Sequence, residues 1–106
     1  MTIDNELVKE SIIKIKSFEF ALRIIKLYQH LIEQKKEFVL SKQLLRSGTA
    51  VGAMVRKSEQ AESRSDFMHK LSIGLKEANE TEYWIKLLYK SNFIDEKSFQ
   101  SIQKDI

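Results

Sequence analysis

Proline and cysteine are absent from this 106-residue chain, and only three of its residues are glycine. The absence of proline favours long uninterrupted helices, because proline is the residue that most often breaks or kinks them. Without cysteine there is neither a disulfide framework nor a thiolate zinc site. The sequence also lacks a signal-peptide pattern and any apolar run of membrane-spanning length. We therefore expect one cytoplasmic domain over residues 1–106, with no membrane contact.

The net charge of +3 is unevenly distributed. Residues 1–57 contain eleven Lys and Arg against six Asp and Glu, a net of +5, whereas residues 58–106 contain seven against nine, a net of −2. A basic half of this kind is typical either of contact with nucleic acid or an acidic partner, or of a solvated lysine-rich helix face. Charge alone favours the solvated face.

Apolar residues recur every three or four positions from about Asn5 to Gln34, which predicts a long first helix. The main stripe consists of Val8, Ile12, Ile15, Phe18, Leu22, Ile25 and Ile32. A second stripe beside it consists of Ala21, Ile24, Tyr28 and Leu31. Two stripes exceed what a surface helix needs, so we expect this helix to have neighbours on two sides.

A second helix is predicted after the break at residues 35–38, with Ser41 as its N-cap. Its middle, "RSGTAVGAMVR", contains two of the three glycines, Gly48 and Gly52, yet the helical spacing continues on both sides of them. Glycine in mid-helix costs about 1 kcal/mol relative to alanine. The small residues therefore indicate a helix that another helix approaches closely, rather than a loop.

A third helix is predicted to start at the capping box "SRSD", Ser63 to Asp66, and to run to about Ser91. Its end, "YWIKLLY", is apolar nearly all round, which is typical of a helix end that is buried on every side or contacts another chain. A short fourth helix could not cover this much apolar surface. We therefore predict an oligomer interface that consists of Tyr28, Tyr83, Trp84 and Leu87.

Asn92 is predicted to end the third helix and Asp95 to cap a fourth, which reaches only Ile106. This last helix is short for a bundle partner, so either the chain is trimmed or the helix is a stub. The sequence contains no alternating strand pattern. These features predict an all-α, up-down-up-down four-helix bundle with a short fourth helix.

The sequence contains few candidates for catalysis. The two histidines, His30 and His69, do not lie in the Glu-x-x-His spacing of a di-iron bundle, so we expect neither a metal nor a cofactor. Arg64 with His69, and Arg23 with His30, match the loose Arg-then-His spacing of some RNA-cleaving helical bundles, with histidine as the acid or base. An RNA-cleaving enzyme therefore remains an alternative, as does a purely structural interaction module.

On the second helix, Lys42, Arg46 and Lys57 share a face opposite the predicted core. Such cations are enough for salt-dependent phosphate contact but not for reading a base sequence. We therefore predict that nucleic acid, if bound, contacts Lys42, Arg46, Arg56 and Lys57.

Residues 41–88 resemble the bacterial four-helix-bundle proteins encoded within intervening sequences of 23S ribosomal RNA genes. That family is related to the accessory variability proteins of diversity-generating retroelements. The first part of the shared pattern is present as Gln43, Leu44, Arg46, Ser47, Val51 and Ala53. The second part is present as Phe67, Lys70, Leu71, Ile73, Glu77, Glu80, Thr81, Tyr83 and Trp84. Departures include Met54 in place of an asparagine and Gly74 in place of an alanine.

The resemblance implies a homopentameric, barrel-like ring without known catalytic activity. In the retroelement branch, the resemblance implies a basic surface that contacts nucleic acid and a reverse transcriptase. We also expect Glu77 and Glu80 to form ion pairs with Arg46 and Lys70, because these acids lie beside an apolar face. The function predicted from the sequence is a non-enzymatic, oligomeric binding or scaffold protein.

Overall fold

A computed structural model of the chain describes the backbone of residues 2–106 and the side chains of residues 12–106. Within that range the chain forms four helices and no strand, which confirms the all-α prediction. They are α1 (Thr2–Glu33), α2 (Leu40–Ser58), α3 (Arg64–Lys90) and α4 (Glu96–Gln103). None of the described helices combines the length and the apolar character that crossing a membrane requires.

The start of α2 differs from the sequence prediction, and Ser41 as its N-cap is wrong. The helix begins at Leu40, and the Glu37 carboxylate accepts the backbone N–H groups of Val39, Leu40 and Ser41, the last at 2.7 Å. The Ser41 hydroxyl donates back to the Glu37 carbonyl, also at 2.7 Å. A glutamate side chain is long enough to reach these otherwise unpaired N–H groups from outside the helix. The helix therefore begins earlier than it would with Ser41 as the cap.

The predicted starts of α3 and α4 are confirmed. The Ser63 hydroxyl accepts the Asp66 N–H at 3.1 Å, and the Asp66 carboxylate accepts the Glu62 N–H at 3.2 Å. The Asp95 carboxylate accepts the Ser98 N–H at 2.7 Å. Just after α3, Asn92 adopts a φ of 68°, in the left-handed region that ends helices.

Helix α2 packs against α1 on one side and against α3 on the other, and its two glycines, Gly48 and Gly52, lie where α1 approaches. A Cβ atom at Gly48 would lie 2.7 Å from Cγ1 of Ile24, and one at Gly52 would lie 3.3 Å from the carbonyl oxygen of Ser17. The prediction of a tightly packed helix here, rather than a loop, is confirmed. At Gly74 of α3 a Cβ would meet Met54 at an ordinary 3.5 Å.

The core lies mainly at the end of the molecule where α4 closes over α1 and α3. Its members are Phe20, Ile24, Leu31, Leu44, Ile85, Leu88, Ile94 and Ile102. Tyr89 stacks on Phe99 of α4, with ring centroids 4.2 Å apart. The short α4 and the turn before it therefore cover more of the apolar end of α3 than its length predicts.

Candidate assembly and nucleic-acid surfaces

One of the two apolar stripes of α1 is covered within the protomer and the other is not. Ile24 and Leu31, from the second stripe, are fully buried. In the main stripe the exposed fractions are 57% for Ile15, 52% for Phe18, 47% for Leu22 and 37% for Ile25. Val8, predicted to continue this stripe, lies outside the described side chains.

We call Ile15, Phe18, Leu22 and Ile25 the α1 outer stripe. Their spacing of three, four and three residues is the spacing of a helix–helix contact seam. Exposed apolar patches of this kind mark interaction sites on soluble proteins. The predicted interface omitted these residues, although their spacing is visible in the sequence.

The residues that were predicted to form the interface have mixed environments. Tyr83 is 57% exposed, and its ring lies edge-on to Trp84 with centroids 5.2 Å apart. Trp84, Leu87 and Tyr28 are half-buried within the protomer. Of these four residues, Tyr83 offers the most surface to another chain.

A charged cluster joins α2 to α3, and we call it the Arg46 cluster. The Arg46 guanidinium donates to Glu77 at 3.0 Å, to Glu80, and to the side-chain oxygen of Gln43 at 3.3 Å. The same Glu80 oxygen accepts the indole N–H of Trp84 at 3.1 Å. One guanidinium thereby bridges two turns of the neighbouring helix, which fixes the register of α2 against α3.

The Arg46 cluster shifts the ionisation of its members. The hydrogen bond from Arg46, more than any other contact, lowers the pKa of Glu80; burial opposes this shift, and the Trp84 N–H lowers the pKa further. The hydrogen bond to Glu80 raises the pKa of Arg46 in turn. Each partner therefore favours the charged form of the other.

Beneath this cluster, two fully buried hydroxyls connect the same helices. Ser47 and Thr81 are hydrogen-bonded to each other at 2.9 Å, and the Thr81 hydroxyl also donates to the Glu77 carbonyl at 2.8 Å. Because each buried hydroxyl has a partner, the small side chains here allow a close helix contact without leaving a buried polar group unsatisfied.

The ion pair predicted between Lys70 and the two glutamates is not formed. Lys70 instead donates to both carboxylate oxygens of Asp66 at 2.7 Å, one turn earlier on α3. This bond lowers the pKa of Asp66. A partner four residues away on the same helix is closer than one seven or ten residues away, so Lys70 is already engaged.

The cations on the outer face of α2 are not equivalent. Lys42, Arg56 and Lys57 are exposed, whereas the charge of Arg46 is compensated by Glu77 and Glu80. The Arg56 guanidinium lies 6.0 Å from the ring centroid of Phe18, so the basic face adjoins the α1 outer stripe. At 1.5 Å per residue, Lys42 and Lys57 lie roughly 22 Å apart along the helix.

In one of the two Arg–His pairs, Arg23 with His30, the arginine is held by residues in and after α4. Arg23 is bound to Asp105 and to both the hydroxyl and the carbonyl of Ser101. No described side chain hydrogen-bonds to the imidazole of His30 or His69. Nor do three or more potential metal-ligating side chains come together among the described residues.

These observations define a class: a small all-α protein of four helices, in which an arginine bound to two carboxylates joins the second helix to the third. The chain belongs to the family of 23S rRNA-intervening sequence proteins, whose model matches residues 9–106. It is 55% identical to a protein of unknown function from the S23 ribosomal protein family of Bacteroides thetaiotaomicron, known from a crystal structure. That likeness has a TM-score of 0.90 and covers 92% of this chain and 87% of that one. None of the curated proteins compared with the chain matches it.

The motif behind the sequence resemblance coincides with the contacts between α2 and α3. Gln43, Arg46, Glu77, Glu80 and Trp84 form the Arg46 cluster. The motif residues Ser47 and Thr81 form the buried hydroxyl pair. In this chain these polar motif residues therefore have a structural role in or beside the contact between α2 and α3.

Proposed function

We propose that this chain is a non-enzymatic scaffold that assembles with copies of itself and contacts nucleic-acid phosphates through the outer face of α2. The observation that carries the proposal is the α1 outer stripe, an apolar helix face exposed beside a basic one. A basic face next to a self-association surface is suited to presenting cations in several copies at once, which strengthens weak phosphate contacts.

The area of the protomer supports assembly. The chain exposes 7416 Å², whereas about 6100 Å² is expected for a compact monomer of this mass. The excess, on the order of 1300 Å², is consistent with an elongated protomer that leaves one helix face uncovered. Association of elongated protomers through the α1 outer stripe would bury part of this accessible surface.

A ring of five, as the family resemblance implies, requires two different surfaces on each copy, because an odd-numbered ring closes only through head-to-tail contacts. The α1 outer stripe supplies one of them. The other, we propose, is the outer side of α3, where Met68, Leu75 and Tyr83 are all more than half exposed. This arrangement retains Tyr83 from the interface predicted by sequence.

The nucleic-acid part of the proposal rests on Lys42, Arg56 and Lys57, which form no ion pair with a described residue. Between them the outer face of α2 carries small residues, Thr49 and Ala53, so a phosphate backbone could approach the helix closely. Because Arg46 is held by two carboxylates, we assign it to the fold rather than to the ligand. Such a surface binds without base specificity.

The test is to measure binding of a fluorescein-labelled 20-nucleotide RNA and a 20-base-pair DNA by anisotropy between 50 and 300 mM salt. We expect the triple variant Lys42→Gln, Arg56→Gln, Lys57→Gln to bind more weakly than wild type. The slope of log affinity against log salt should fall by about two to three, since each lost phosphate contact contributes about 0.7 to 0.9.

A matched control removes three lysines from α3 instead, through Lys76→Gln, Lys86→Gln and Lys90→Gln. This variant loses the same net charge, so it reports the effect of overall charge alone. Equal losses in the two variants would refute the assignment to α2. Absence of wild-type binding at 50 mM salt would refute the nucleic-acid role as a whole.

A further inference from the structure

Three open hollows adjoin one another along the contact between α1 and α4. The central one, of about 580 Å³, is lined by Arg23, Lys26, Leu27, Lys97, Ser98, Ser101 and Ile102. A second hollow of about 380 Å³ shares Leu27 and Ser98 with it and extends to Lys35 and Phe93. A third of about 370 Å³ shares Arg23 and extends to Lys16 and Lys104. Together they form what we call the α1–α4 groove.

The α1–α4 groove is positively charged. Its cations are Lys16, Arg23, Lys26, Lys35, Lys97 and Lys104, and its acids are Glu19, Asp95 and Asp105. The resulting net charge of +3 equals that of the whole chain, so the remaining surface sums to zero. No acidic residue among those described lines the central hollow.

Two of the three acids are already committed to the fold. Asp105 forms an ion pair with Arg23, and Asp95 caps α4 by accepting the Ser98 N–H. Lys26 and Lys97, on opposite walls of the central hollow, form no ion pair with a described residue. A cleft with low-dielectric walls concentrates the field of such cations and attracts anions.

The central hollow combines these cations with hydroxyl donors and an apolar floor. The Ser101 hydroxyl accepts from Arg23 at 2.8 Å, which leaves its own proton free to donate, and Ser98 lies one turn before it. Leu27 and Ile102 supply the apolar part, and Phe93, which is half-buried and packs against the core, also lines the adjoining hollow. Cations along a groove with an aromatic beside them are the combination that binds single-stranded nucleic acid.

We propose that the α1–α4 groove binds single-stranded nucleic acid, with Lys26 and Lys97 contacting phosphates and Phe93 stacking on a base. From Lys16 to the end of α1 the groove is about 26 Å long at 1.5 Å per residue, enough for several nucleotides. A duplex keeps its bases paired and cannot place one beside Phe93. The inference rests on the proposed nucleic-acid function and adds to it a second surface, on the other side of α1 from the basic face of α2.

The experiment compares a labelled 12-nucleotide single-stranded RNA with the duplex of the same sequence, by anisotropy at 50 mM salt. For Lys26→Gln with Lys97→Gln we expect binding of the single strand to weaken at least tenfold. The change for the duplex should be under threefold. Phe93→Leu, which keeps an apolar side chain but removes the ring, should weaken only single-strand binding, by fivefold or more. Circular dichroism and a urea midpoint confirm that each variant is folded.

Two controls separate this inference from the proposed function. The first, Lys76→Gln with Lys90→Gln, removes two lysines from α3, and the second is the triple variant of α2. If the groove variants bind the single strand like wild type while the α2 variant loses affinity, the groove proposal is wrong and the proposed function stands. If wild type binds neither the single strand nor the duplex, the groove proposal and the nucleic-acid part of the proposed function are both wrong. Displacement of the RNA by an equimolar polyglutamate peptide would assign the groove to an acidic protein segment and so overturn the proposal.

Discussion

At the scale of single residues, Gly48 is the position at which one added methyl group should matter most. An alanine Cβ there would lie 2.7 and 2.8 Å from the two γ-carbons of Ile24, which is fully buried and cannot move away freely. Gly74 is a natural contrast, since its nearest neighbour would be at an ordinary 3.5 Å. The neighbouring helix therefore leaves no room for a side chain at Gly48, whereas it does at Gly74.

We predict that Gly48→Ala destabilises the protein by up to about 2 kcal/mol, because overpacking costs roughly 1–3 kcal/mol and the gain in helix propensity offsets about 1 kcal/mol of that cost. Gly74→Ala should instead be neutral or stabilise by up to about 1 kcal/mol. Urea unfolding at one fixed protein concentration measures both. Stabilisation by both substitutions would show that α1 does not approach α2 as closely as described.

At the scale of helices, sequence periodicity predicted all four elements and the helical character of the small-residue segment. It could not decide which stripe of α1 faces inward, because both are apolar. The stripe that faces inward is the one that contains Ile24, because Gly48 and Gly52 let α1 approach α2 closely at Ile24 and Ser17. Helix α4 covers the same side of α1. These contacts join distant parts of the chain, so the periodicity of α1 alone does not reveal them.

The contacts of the charged residues between α2 and α3 were predicted only in part, because competing partners close in sequence were not recognised. The sequence brought Arg46 together with Glu77 and Glu80 through charge and the family motif. It assigned Lys70 to the wrong partner, because the competing acid Asp66 was assigned to a helix cap. The Glu37 cap was missed since it acts from outside α2, where capping rules favour serine.

The Arg46 cluster makes the contact between α2 and α3 dependent on pH. Because the pKa of Glu80 is lowered from its ordinary value of 4.5, its contribution to stability is fully present above that value. The contribution is lost as the pH falls through the lowered pKa in the folded state. We predict that Glu80→Gln reduces stability at pH 7 and gives a shallower loss of stability between pH 5 and 3.

Urea midpoints from pH 7 to pH 3 measure this effect, with Glu62→Gln as the control, since Glu62 is exposed and forms no ion pair with a described residue. Asp66, Glu82 and Asp95 also have lowered pKa values, so wild-type acid sensitivity should be reduced by Glu80→Gln but not abolished. Parallel pH profiles for wild type and Glu80→Gln would contradict a stabilising role for the Arg46–Glu80 pair.

At the scale of the whole molecule, the protomer is elongated. Its extents are 48 × 23 × 19 Å and its radius of gyration is 15.2 Å, against about 13 Å for a compact domain of this length. The long α1 accounts for this shape, and its outer stripe follows the long axis. The basic face of α2 and the α1–α4 groove lie on either side of that stripe. An assembly formed through the stripe would therefore present several copies of each surface.

Self-association through the α1 outer stripe is tested by the solution mass from sedimentation equilibrium at micromolar concentration. We expect a defined multiple of 12.4 kDa for wild type, five copies if the ring is closed. Leu22→Lys, which places a charge in the α1 outer stripe, should give a folded single subunit, and Gln60→Lys at an exposed turn should leave the mass unchanged. A wild-type mass of 12.4 kDa at that concentration would show that the chain does not assemble through this stripe.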